Sequence, residues 1–136
     1  MSIELSVLAW GCVLALLHII VATQAKTRQY GRAWNVGPRD AEMPPPTPLV
    51  ARLARAQANY FETFPIMAAA ILVVTLASLE SYWTAVGALL WLVARLVYVP
   101  LYALAVPLVR SLAWIVAAVG ILMVLWPALR VSLQLL

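Results

Sequence analysis

Between Glu4 and Lys26 the chain carries no formal charge, and residues 3–25 are apolar almost throughout. A helix of about 20 such residues crosses the hydrocarbon core of a bilayer. Lipid offers no water to pair with a backbone N–H or C=O, so a segment that pairs its own groups, a helix, is the expected form. The run is too long for the core of a signal peptide and reads as a retained span. Further apolar stretches follow at 64–79, at 81–109 with Arg95 in its middle, and from Ser111 to Arg130. The pattern predicts an all-α integral membrane four-helix bundle. It forms a single membrane domain, with spans at 3–25, 50–79, 81–106 and 108–134 and one long loop at 26–49. Composition agrees: 65% of the 136 residues are hydrophobic and 10% are charged, against about 25% charged in a soluble domain.

Charge gives the orientation. Lys26, Arg28, Arg32, Arg39, Arg52 and Arg55 fall at one end of the spans, with Arg110, and Glu4, Glu80 and Arg130 fall at the other. The positive-inside rule puts the loop in the cytoplasm and both termini on the opposite side. A net charge of +4 in this setting points to orientation and contact with anionic membrane lipid, not to nucleic acid. One histidine and one cysteine are too few for a protein-ligated transition metal. Cys12 reads as a small buried hydrophobe. His18 reads as a hydrogen-bonding contact between helices, with a proton relay as the alternative. Pro65 is expected to bend the second helix, and Pro100 and Pro107 to kink and then end the third.

The apolar stretch at 64–79 has only 16 residues, so the second span must draw in the polar sequence before it. Arg52, Arg55, Asn59 and Glu62 are spaced 3, 4 and 3 apart, on one helix face. Arg95, Tyr98 and Tyr102 share a face of the third span, and Arg110 and Ser111 open the fourth. All lie in the half of the bundle near the loop. A charge deep in a span costs at least about 2.5–3.5 kcal/mol, so Arg95 needs a partner. Two readings are open. Glu62 pairs with Arg95 as an ion pair joining two helices, or the excess of arginines receives an anion rich in carboxylates. Arg52 and Arg55 either join that site or reach lipid phosphates. Tyr98 and Tyr102 are pocket wall or aromatic belt.

The runs "RLARAQANYFETFP", "RLVYVPLY" and "RS" resemble those of the MAPEG family, the membrane-associated proteins of eicosanoid and glutathione metabolism, nearest in style to its short bacterial members. The resemblance implies a homotrimer, in an inner membrane if the source is bacterial. It implies a glutathione co-substrate held between subunits by Arg52, Arg55, Asn59, Glu62, Arg95, Tyr98 and Tyr102, without a metal. Arg110 would stabilise the thiolate, and Ser111 would assist in catalysis. The expected activity is transferase or peroxidase chemistry on a small hydrophobic electrophile dissolved in the membrane. A non-catalytic scaffold that binds lipid or presents a partner is the alternative within the same fold. A multidrug exporter is a third, disfavoured because the first span's only carboxylate, Glu4, lies at its very start. Ala58 and Trp114 stand where one family enzyme has an arginine and a tyrosine.

Overall fold

The computed structural model describes residues 1–135, Pro107 by its backbone alone. The chain forms α1 (Ile3–Tyr30), α2 (Arg32–Val36), α3 (Pro48–Leu76), α4 (Tyr82–Ala103) and α5 (Pro107–Leu135). All but α2 are long and apolar enough to cross a membrane.

Local chemistry sets the helix ends. Ser2 caps α1, its hydroxyl accepting from the Leu5 N–H, and Gly31 (φ 90°) stops it. Ser81 and Thr84 form a reciprocal capping box at the start of α4. Helices α3 and α4 end alike. The Leu79 N–H reaches back to the Val74 carbonyl and that of Val106 to the Leu101 carbonyl. Ser78 (φ 54°) and Ala105 (φ 58°) hold the left-handed position where glycine is usual.

Helix α1 runs through Tyr30, into the segment expected to be loop, because no breaker precedes Gly31. The proline-rich segment is fastened to that extension. The Gln29 side chain donates to the Pro45 carbonyl and accepts from the Thr47 N–H, while the Tyr30 hydroxyl donates to the Pro44 carbonyl. The second and third helices close three residues before the expected ends at 79 and 106, where the left-handed turns intervene. Pro107 opens α5 instead of ending the third helix, a position where its missing N–H costs nothing. Pro65 and Pro100 lie inside unbroken helices.

Helices α3 and α4 sit between α1 and α5, whose backbones do not approach closely among the described residues. Packing is most extensive between α4 and α5, where a Cβ on Gly120 would lie 2.6 Å from the Gly87 carbonyl oxygen. Small residues let helix backbones approach this closely, which matters where lipid removes the hydrophobic drive between helices. On the other side, Gly11 of α1 makes room for the Phe64 ring. Tyr60, 1% exposed, donates its hydroxyl to the Gly11 carbonyl at 2.7 Å. Stacked on Phe64 and in contact with Trp91, it ties α1, α3 and α4 together.

Candidate functional site

Helices α3, α4 and α5 enclose a cleft near the loop end of the bundle. Its walls are Asn59, Tyr98, Tyr102, Arg110, Ser111, Trp114 and Ile115, and its volume is about 450 Å³. Three of the four long helices thus bring residues far apart in sequence to one place.

Arg95 anchors the cleft from behind. It is 1% exposed and donates to the Asn59 side-chain oxygen at 2.8 Å and to the Thr63 hydroxyl at 2.6 Å. Its Nε has no hydrogen-bond partner among the described residues. The guanidinium lies 5.4 Å from the centre of the Tyr98 ring. Both hydrogen-bond acceptors are neutral, so a full positive charge sits in the bundle with no carboxylate against it among the described residues.

The Arg95–Glu62 ion pair, one of the two readings left open, is not formed; Glu62 is exposed on the outer face of α3. Spacings of 3, 4 and 3 do share a face, but 3.6 residues per turn spreads them into a fan of about 80°. Tyr60 and Met67 define the buried face, and Glu62 lies at the far edge of the fan. Thr63, one turn beyond Asn59, takes the place expected of Glu62. That i, i+4 relation was visible in the sequence.

The other arginines divide. Arg55 donates through Nε to the Tyr102 hydroxyl at 3.1 Å. Arg110 lies 4.9 Å from the centre of the same ring, so two guanidinium groups meet Tyr102, one at its hydroxyl and one at its ring. Tyr98 and Tyr102 are in contact, with ring centres 5.4 Å apart. Arg52 is engaged elsewhere: Nη1 donates to the Ala103 carbonyl at 2.8 Å and Nε to the Pro48 carbonyl at 3.1 Å. It caps the end of α4 and does not line the cleft. Arg110, half-buried in the first turn of α5, has no hydrogen bond from its guanidinium to another described residue. Its charge therefore remains available inside a partly desolvated cleft.

Two sequence expectations outside the cleft differ in the structure. His18 makes no hydrogen bond to another described residue; its ring lies against that of Tyr60, tilted by 31° with ring centres 4.5 Å apart. Cys12 is exposed, since the neighbouring Gly11 occupies the buried face of α1.

The architecture and the cationic cleft define a class, a helical membrane bundle with a polar pocket at one end of its spans. The model of the MAPEG family matches residues 7–130, most of the chain, and the chain belongs to that family. It is a multi-pass integral membrane protein. The family includes glutathione transferases and peroxidases alongside members that are not enzymes. A comparison with curated proteins returns no match.

Proposed function

We propose that the cleft binds glutathione and presents its thiolate to a hydrophobic electrophile arriving from the bilayer. The observation that carries this reading is Arg110, a cation held against Tyr102 in the cleft wall with no acid paired to it among the described residues. A free thiol of this kind has a pKa of about 8.5, and only the thiolate is a good nucleophile. Arg110 and the positive end of α5 both favour the anion. Ser111, in the same wall, can donate to the thiolate or to an oxyanion that develops on the substrate. Arg95, through Asn59, and Arg55, through Tyr102, fix the polar groups that meet the carboxylates of the tripeptide. A second copy of the chain completes the site against the exposed face of α3, where the exposed Glu62 receives the glutathione ammonium. In this arrangement the loop faces the cytoplasm, the source of glutathione.

The test is conjugation of glutathione to a lipophilic electrophile by the protein in lipid nanodiscs. Arg110→Ala should lower kcat/KM by about 100-fold, the usual scale for one preorganised electrostatic contact, with the helical content retained. Full activity in that variant would remove Arg110 from the mechanism. The scaffold reading draws on one feature, the indole of Trp114 in the cleft wall. Calorimetry separates the two, because a scaffold would take up no glutathione at millimolar concentration.

A further inference from the structure

A second cavity lies on the other side of the α3–α4 pair, between α1, α3 and α4. Its volume is about 250 Å³, and it is lined by Leu14, Leu17, His18, Val21, Ala22, Leu53, Leu96, Val99 and Pro100. Among the described residues, His18 alone in that wall has a polar side chain. It is 5% exposed, its Nε2 is buried without a partner, and neither ring nitrogen bonds to another described residue. Leu17, Val21 and Leu96, on the rim, are exposed on the apolar outer surface of the bundle.

We propose that this cavity binds a small uncharged lipophilic molecule carrying one hydrogen-bonding oxygen, which enters from the bilayer between α1 and α4 and pairs with His18. Size, polarity and access lead to this class. An apolar cavity of roughly 150 Å³ takes a benzene ring and stays dry, so this one accommodates one or two rings. Water is a poor occupant because it needs two to four polar partners and the wall supplies one side chain. No lysine, arginine or carboxylate among the described residues lines the cavity, so a charged head would be desolvated without compensation. A neutral imidazole has one donor and one acceptor, which suits a hydroxyl or a carbonyl. Tyr60 covers one face of the ring and holds it in place.

His18 is the chain's only histidine, so isotope-labelled histidine gives a single imidazole signal by NMR. In nanodiscs, naphthol should shift the imidazole nitrogen resonances saturably, while naphthalene at equal concentration in the bilayer should produce a much smaller shift. Leu17→Trp, which fills the mouth, should weaken the naphthol response at least tenfold. Val21→Trp, on the same rim, carries the same expectation should the first variant not fold. Calorimetric glutathione binding should be unchanged in the folded rim variant, which separates this cavity from the cleft. A missing shift, an equal response to both compounds, or insensitivity to the rim substitution would each overturn the proposal.

Discussion

The two ends of the α4–α5 pair are built on opposite plans. At the end near the termini, Glu4 is 3% exposed, and its carboxylate accepts the Thr84 hydroxyl. Further in, Gly87 and Gly120 bring the two backbones together. Polar groups there are few, and the helices close over them. At the loop end the same helices carry Tyr98, Tyr102, Arg110 and Trp114, whose bulk frames a cleft. Small residues fix the helix pair at one end; large cationic and aromatic ones hold it open at the other. The close-packed seam fixes the helix pair without drawing on the charges of the cleft.

The comparison breaks most sharply at the seam. Gly120→Leu should destabilise the protein by about 3 kcal/mol, since the new side chain meets backbone that cannot yield. Thermal unfolding in detergent measures this, and a wild-type midpoint would show that the seam is not close-packed. Thr84→Val should cost about 2 kcal/mol by leaving the Glu4 carboxylate buried without its donor and removing half of the capping box. Glutathione binding at the distant cleft should be unchanged in that variant. The smallest effect sharpens the contrast. Ser78→Gly, near the termini, and Ala105→Gly, beside the cleft, each relieve a left-handed residue and should stabilise by about 0.5–1 kcal/mol. Only Ala105→Gly should alter binding at the cleft, read by calorimetry, because its turn positions Tyr102 and Arg110.

Much of the site could be read from residue type and spacing. Asn59, Arg95, Tyr98, Tyr102, Arg110 and Ser111 do converge, because helical periodicity places the polar faces of α3 and α4 and the start of α5 at one end. Glu62 and Arg52 were harder to place. Spacing gives a shared face but not its edge, and neither the outward position of Glu62 nor the free carbonyl at Ala103 that Arg52 meets is encoded locally. Thr63 was missed because a threonine in a span looks ordinary until an arginine is opposite it. The second cavity had only the lone His18 as a signal.

The sequence by itself determined that the chain is helical and spans a membrane, because uncharged runs of this length have no other stable form in lipid. It also set which end of the bundle carries the arginines. Only the tertiary structure decided how those arginines are used. Arg95 donates to neutral side chains, Arg52 to a helix end, and Arg110 lies against an aromatic ring. A hydrogen bond depends on distances of a few ångströms between helices, and helix packing, not residue order, sets those distances.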